Sequence, residues 1–193
     1  RLAPKHPFPA QIQDARAAVR FLRANAKQYG IDADKFGAGG FSAGGHLALL
    51  LGHAGQVDGW DAGGNRDQPA KVQCVVDFFG PTDLCLYSKE IRDAYLVPVF
   101  GKEAKTDPEV LKKASPLTYA AKDAPPTLIL HGTFDVVVPV KHSEALHQKL
   151  QDCGAACELV TLFGEGHGWS GRTYTKTFNR AAEFLDTHLK GKK

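Results

Sequence analysis

The feature that most constrains the fold is a series of short apolar runs separated by stretches that favour helix. The runs span residues 72–79, 127–130 and 157–163, and helical patterns occupy residues 140–152 and 174–190. Short, nearly continuous apolar runs are typical of strands buried on both faces of a parallel sheet. Because strand and helix alternate along the chain, the sequence predicts an α/β fold with a mostly parallel sheet flanked by helices.

A fourth strand and two further helices are predicted nearer the N-terminus. Residues 35–41 are glycine-rich and lead directly into residues 43–51, which are rich in the strong helix formers Ala and Leu. This pattern indicates a strand, a tight turn and a helix. Ahead of it, apolar residues recur every three or four positions over 11–28 and Gly30 follows, so we expect an amphipathic helix that ends at a glycine.

The chain has the length of one globular domain, which we expect to span residues 1–193. Because 43% of its residues are hydrophobic, such a domain can build a sizeable core. The segment 81–126 interrupts the alternation with several prolines and short helical patches. We predict that it is an insertion over one end of the sheet, near the active site. Its apolar residues either line a substrate pocket or anchor the insertion to the domain. These residues are Tyr95, Leu96, Val99 and Phe100.

Composition argues against several classes of function. The formal net charge is +3, and Lys and Arg are scattered apart from Lys190, Lys192 and Lys193, so we expect no nucleic-acid partner. No apolar run is long enough to cross a membrane. The eight histidines and four cysteines lack metal-ligand spacing, so the sequence predicts neither a metal nor a cofactor.

The compartment and the thiol state are left open by the sequence. The chain begins at Arg1 and contains no Met, so we expect its native N-terminus to lie upstream, in either a cytoplasmic or a secreted protein. Cys153 and Cys157 lie at a predicted junction of helix and strand. Free thiols are the simpler expectation for this pair, and a disulfide is the alternative.

The motif G-x-S-x-G occurs at residues 40–44, between a predicted strand and a predicted helix. This is the structural context in which the motif carries a nucleophilic serine. In such a turn the serine is held above the sheet, and we expect glycine at both flanks because side chains there would collide. The motif makes Ser42 a candidate nucleophile. The N–H of Ala43 then lies at a helix N-terminus, where it can stabilise an oxyanion.

A serine hydroxyl needs a base and an orienting acid to become a nucleophile. Asp135 follows the predicted strand 127–130, and His167 follows the predicted strand 157–163. Both lie just past strand ends, where parallel sheets bind ligands, and the chain order is Ser, Asp, His. We therefore predict a catalytic triad of Ser42, Asp135 and His167.

Other polar residues compete for these roles. Asp83 is an alternative acid, although we expect it to cap a turn. His46 comes one helical turn after Ser42 and is predicted to pack beneath the site, and His131 is predicted to be a hydrogen-bonded core residue. We expect the remaining histidines to be at the surface; these are His6, His53, His142, His147 and His188.

Several segments together resemble a known family. They read RLAPKHPFPA at 1–10, GFSAGGH at 40–46, GPTDL at 80–84, ILHG at 129–132 and GHG at 166–168. They are similar to signatures of bacterial α/β-hydrolase carboxylesterases, both the hormone-sensitive-lipase-like enzymes and the feruloyl and acetylxylan esterase-like enzymes. The resemblance implies ester hydrolysis through an acyl-enzyme on Ser42, with Asp135 and His167 at the acid and base positions. Thr133 stands where many relatives carry a second Asp.

The resemblance covers only the C-terminal part of that fold. It implies an eight-stranded sheet whose first four strands, together with the His-Gly-Gly-Gly loop that supplies further oxyanion donors, are missing here. Gly63 and Gly64 are no substitute, since they follow the nucleophile and are preceded by Asp61-Ala62. We expect the strand before Ser42 to have one unpaired edge, covered by an upstream segment or by a second subunit of a homo-oligomer.

The resulting expectation is a serine carboxylesterase that hydrolyses short or aromatic acyl esters, on small molecules or linked to polysaccharide. A prolyl-oligopeptidase-like peptidase shares these motifs but usually carries a large additional domain, which 193 residues do not contain. A non-catalytic module that kept the hydrolase fold is the third alternative.

Overall fold

The structure, a computed structural model, describes residues 1–55 and 57–190. Its centre is one sheet of four strands, all parallel, in the order β1-β2-β3-β4. The strands are β1 (Gly37–Phe41), β2 (Cys74–Phe78), β3 (Thr127–Gly132) and β4 (Cys157–Leu162). The predicted α/β fold with a parallel sheet is confirmed, and each strand falls within two residues of its predicted bounds.

Helices surround the sheet and connect its strands. They are α1 (Ala10–Ala24), α2 (Ala26–Tyr29), α3 (Ala43–His53), α4 (Lys89–Ile91), α5 (Val97–Phe100), α6 (Pro108–Lys113), α7 (Lys141–Asp152) and α8 (Gly171–Lys190). The single helix expected over 11–28 is interrupted at Asn25, and Gly30 ends α2 in a left-handed conformation with φ 64°. The expectation of a glycine stop is therefore correct, but that of one continuous helix is wrong.

The two faces of the sheet pack against different helices. Because side chains alternate along a strand, Val75 and Ile129 face the core cluster that includes residues of α1, α3 and α7. Val76 and Leu130 face the opposite cluster, which Phe184 of α8 completes. In the two central strands, β2 and β3, both faces are buried, which is why these strands read as nearly continuous apolar runs.

Two histidines expected at the surface are buried. The Nε2 atom of His53, on the inner face of α3, lies 2.9 Å from Thr127 Oγ1. His142, in the first turn of α7, accepts hydrogen bonds at Nδ1 from the backbone N–H groups of Thr82 and Asp83. Partners supplied by distant segments keep both rings inside, and burial lowers the pKa of each to about 4. His6 and His147 are half-buried and His188 is exposed.

The chain between β2 and β3 forms the short helices α4 to α6, the 3-10 turns Leu84–Leu86, Lys102–Lys105 and Pro116–Tyr119, and the π-helical turn Arg92–Leu96. A third apolar cluster around Leu84, Leu96 and Leu111 holds this segment together. That the segment 81–126 is an insertion stays a prediction.

Among the described residues, β1 pairs with β2 alone, and every helix is too short or too polar to span a lipid bilayer. The four cysteines, including Cys153 and Cys157, are free thiols. Lys192 and Lys193 lie outside the described residues.

Candidate active site

The turn between β1 and α3 is sharp and strained. Ser42 has φ 53° and ψ −118°, a conformation that side-chain-bearing residues rarely adopt, and its N–H donates to Phe78 O at 2.8 Å. A Cβ at Gly40 would lie 2.4 Å from the carbonyl carbon of Gly44, so glycine is required at the first flank. A Cβ at Gly44 would meet nothing within 4 Å, so the expected collision at the second flank is wrong.

The structure brings Ser42, His167 and Asp135 together from three strand ends. His167 Nε2 lies 2.8 Å from Ser42 Oγ, and His167 Nδ1 lies 2.7 Å from Asp135 Oδ2. The Ser42 side chain makes no capping bond to α3, so its hydroxyl is free to donate to the imidazole. This geometry has Nδ1–H donating to the carboxylate while Nε2 accepts the serine proton.

The carboxylate of Asp135 is buried and held from several directions. Its Oδ1 accepts from the backbone N–H groups of Val137 at 2.9 Å and Val138 at 2.8 Å. His131, fully buried, places Nε2 2.8 Å from Val138 O and 3.3 Å from Asp135 Oδ2, and its Nδ1 is bonded to Ser143 Oγ. Burial is the main cause that lowers the pKa of His131. His131 is thus the hydrogen-bonded core residue expected, and it packs behind the acid.

Ala43 is the first residue of α3, so its N–H has no acceptor within the helix and lies at the positive end of the helix dipole. Its position directly after Ser42 places this donor beside the serine hydroxyl. Such a donor is suited to stabilising negative charge that develops on a carbonyl oxygen.

The competing residues have structural roles. Asp83 caps the turn Leu84–Leu86, accepting at Oδ1 from the Cys85 N–H at 3.0 Å. His46 is buried in α3 with Nε2 2.7 Å from Ala114 O, and burial lowers its pKa to about 4. Within the described ranges, no three His, Cys, Asp or Glu side chains are grouped so that they could hold a metal ion.

A cavity of about 440 Å³ opens beside Ser42 and is lined mainly by apolar side chains. Its walls come from the N-terminal segment, α3, the residues after β2, and the loop that follows Asp135. The four apolar residues singled out in the sequence all line it, and Leu96 and Phe100 also pack in the third apolar cluster. Lining a pocket therefore describes all four residues, and anchoring the segment describes Leu96 and Phe100 as well.

One residue at the site has no sequence signal. Phe79 directly follows β2 with φ 47°, and its ring packs against the His167 ring with centroids 4.7 Å apart at 62°. In the sequence it is only the last member of an apolar run, and no motif marks it. The backbone donors of Val137 and Val138 are equally invisible, because they depend on the turn that follows Asp135.

Comparison with known proteins agrees with this fold. A family model described as BD-FAE matches residues 1–150. Esterase LipC of Mycobacterium tuberculosis is 30% identical over 174 residues, which cover 88% of this chain and 43% of LipC. The chain thus spans less than half the length of this relative.

Two solved structures are similar in fold. A truncated form of a carbohydrate esterase from gut microbiota superposes with a TM-score of 0.81 at 30% identity, covering 94% of this chain and 70% of its own. An acetyl ester-xyloside bifunctional hydrolase from Caldicellulosiruptor lactoaceticus gives 0.81 at 26% identity, covering 97% and 69%. The chain therefore belongs to the BD-FAE family, within the α/β-hydrolase carboxylesterases.

Proposed function

We propose that this chain is the catalytic part of a serine carboxylesterase that hydrolyses short or aromatic acyl esters through an acyl-enzyme on Ser42. The observation that carries the proposal is the hydrogen-bonded chain from Ser42 Oγ through His167 to Asp135, with distances of 2.8 and 2.7 Å. A hydroxyl, an imidazole and a buried carboxylate in this order are the arrangement that activates a serine.

In the proposed reaction, Ser42 Oγ attacks the ester carbonyl carbon and its proton passes to His167 Nε2. The Ala43 N–H stabilises the negative charge on the former carbonyl oxygen. His167 then gives the proton to the alcohol oxygen as the C–O bond breaks, leaving the acyl group on Ser42. A water molecule, deprotonated by His167, attacks the acyl-enzyme and releases the carboxylic acid. Asp135 keeps the imidazole in the tautomer that accepts at Nε2.

The apolar cavity beside Ser42 supports an acyl group of modest size as the part of the substrate that enters it. Its volume of about 440 Å³ is sufficient for a short aliphatic or a single-ring acyl group. The names of the carbohydrate esterase and the acetyl ester-xyloside hydrolase support esters carried on sugars or polysaccharide as substrates.

The oxyanion site and the sheet edge suggest that a further polypeptide segment completes the site and the sheet. Ala43 is the one oxyanion donor that we assign in this chain, and removal of one such donor in another serine hydrolase costs roughly 2.7–4 kcal/mol. We propose that an upstream segment, or a second subunit of a homo-oligomer, pairs with the edge of β1 that has no partner strand among the described residues, and that it supplies the remaining donors.

Labelling with a fluorophosphonate probe tests the nucleophile. We expect the folded chain to be labelled at Ser42 and the Ser42→Ala variant to be unlabelled. Rates on p-nitrophenyl acetate, a feruloyl ester and an aminoacyl anilide then compare esterase with peptidase activity, and the anilide should be the poorest substrate. Absence of labelling, both in the folded chain and in a protein extended upstream, would overturn the proposal in favour of a non-catalytic module.

A further inference from the structure

We infer that Phe79, held in a left-handed backbone conformation by the buried carboxyl of Asp77, is a positioning residue for the His167 imidazole. The inference rests on the proposed function, because it assigns Phe79 a part in presenting His167 to Ser42. Neither residue belongs to the triad or to its hydrogen bonds.

The first observation is the packing around His167. The two ring nitrogens are fixed by Ser42 and Asp135, but these bonds act at the edge of the ring and leave its tilt to packing. Phe79 contacts the imidazole in a T-shaped arrangement and also packs against Trp169, with centroids 5.1 Å apart at 77°. Its ring therefore contacts two residues of the loop that carries the base.

The second observation is the backbone of Phe79 itself. A bulky residue with φ 47° is strained, and such strain persists only where surrounding contacts determine it. The N–H of Phe79 donates to Leu130 O at 2.9 Å, and the next N–H, that of Gly80, donates to Asp77 Oδ1 at 2.9 Å. These two bonds hold the turn on either side of the Phe79 carbonyl.

The third observation is the burial of Asp77. Its side chain is fully buried, and its Oδ2 has no hydrogen-bond partner in the part of the chain that the structure describes. A Cβ at Gly45 or at Gly80 would lie 2.1 or 2.5 Å from Asp77 Oδ1, so α3 and the turn after β2 both close directly onto this carboxyl. Burial raises the pKa of Asp77 to about 7.

Burying a carboxyl group with one oxygen unpaired lowers the stability of the folded protein. An apolar residue at this strand position would avoid that loss. The Gly80 N–H donates to Asp77, and this hydrogen bond explains why a carboxyl is present. It fixes the turn that places the Phe79 ring against His167. Phe79 is not among the described residues that line the substrate cavity. Its effect should therefore fall on kcat and on the state of His167, and not on KM.

The test compares Phe79→Leu with Phe184→Leu. Phe184 is buried in the same apolar cluster, and its ring lies 4.4 Å from that of His188, so this control removes a similar ring far from the site. We measure fluorophosphonate labelling rates, kcat and KM on p-nitrophenyl acetate, and the NMR signal of the proton between His167 Nδ1 and Asp135, assigned by its loss in His167→Ala.

We expect Phe79→Leu to lower the labelling rate and kcat by about 10- to 100-fold, the cost of a misplaced catalytic group, with KM unchanged and the Nδ1 proton signal shifted or broadened. Phe184→Leu should match the wild type in all of these readouts. Asp77→Ala should act as Phe79→Leu does, whereas Asp77→Asn, which keeps the acceptor for Gly80, should restore the wild-type rate and signal.

Three outcomes would overturn the inference. They are a Phe79→Leu variant with the wild-type rate and His167 signal, an equal change in Phe184→Leu, and equal effects of Asp77→Ala and Asp77→Asn. If Phe79→Leu does not fold, the two Asp77 variants decide the question. If the wild type is not labelled at all, the proposed function fails, and the His167 proton signal still reports whether Phe79 positions the ring.

Discussion

Two neighbouring strands end in similar strained turns that present different side chains to His167. Ser42 follows β1 with φ 53° and Phe79 follows β2 with φ 47°, and each donates its N–H to a carbonyl of the next strand, that of Phe78 and that of Leu130. The Ser42 hydroxyl is partly exposed and bonded to His167, whereas the Phe79 ring is 6% exposed and packs on the same imidazole. At both strand ends a strained backbone therefore fixes the direction of one side chain, a hydroxyl that is hydrogen-bonded to His167 in the first turn and a ring that packs on His167 in the second.

Ser42→Gly should give the largest difference between the two turns. We expect kcat to fall about a millionfold, as for loss of a serine nucleophile elsewhere. The free energy of unfolding should rise by about 1 kcal/mol, since glycine adopts positive φ without strain. Ester turnover and urea denaturation measure the two effects. A less stable Ser42→Gly variant would contradict the assignment of strain to this turn.

Asp77→Asn should remove a pH dependence of stability that comes from the buried carboxyl beneath the second turn. Because the folded-state pKa is raised to about 7, the folded protein keeps a proton that the unfolded chain loses above its ordinary value. The contribution of Asp77 to the free energy of unfolding is therefore full at low pH and is lost as the pH rises to about 7. At pH 8 the variant should be more stable than the wild type by roughly 4 kcal/mol, and at pH 4 equally stable.

The buried histidines provide the internal control for that measurement. Burial lowers the pKa values of His46, His53 and His142 to about 4, so both proteins should lose stability as pH falls below the ordinary histidine value. Urea denaturation at several pH values separates the shared loss from the difference due to Asp77. A difference that does not change with pH would contradict a buried, titrating Asp77.

Phe79→Gly should behave oppositely to Ser42→Gly in stability. Removing a buried phenylalanine ring from a core costs about 3–5 kcal/mol, and relief of positive φ returns about 1 kcal/mol. We therefore expect a net loss of about 3 kcal/mol, measured by urea denaturation. A gain in stability would mean that strain outweighs packing at this turn and would remove the contrast with Ser42.

Gly40→Ala and Gly44→Ala test the packing of the first turn and should give the smallest changes in stability. The added Cβ at residue 40 meets the Gly44 backbone, so we expect a loss of about 1–3 kcal/mol. At residue 44 the space is open and the residue is helical, so alanine should add about 0.5–1 kcal/mol. Thermal unfolding of the two variants measures the difference, and equal effects would contradict the close contact at Gly40.

Much of the fold was predictable because its signals are local. The apolar runs that became β2 and β3 are buried on both faces, and Gly30 has the left-handed conformation expected of a glycine stop. His53 and His142 were assigned wrongly because their hydrogen-bond partners, Thr127, Thr82 and Asp83, are distant in sequence. A histidine carries no local sign of whether a distant group will satisfy its ring.

The sequence alone determined the strand–turn–helix at Ser42 and the order of Ser, Asp and His along the chain, since turn chemistry and periodicity are properties of neighbouring residues. The tertiary structure decided that Ser42 Oγ and Asp135 Oδ2 lie at opposite nitrogens of one imidazole. It also decided that Asp77 and Phe79 lie beneath and beside that site. These are contacts between strand ends, and they exist only once the parallel sheet brings those ends to one edge.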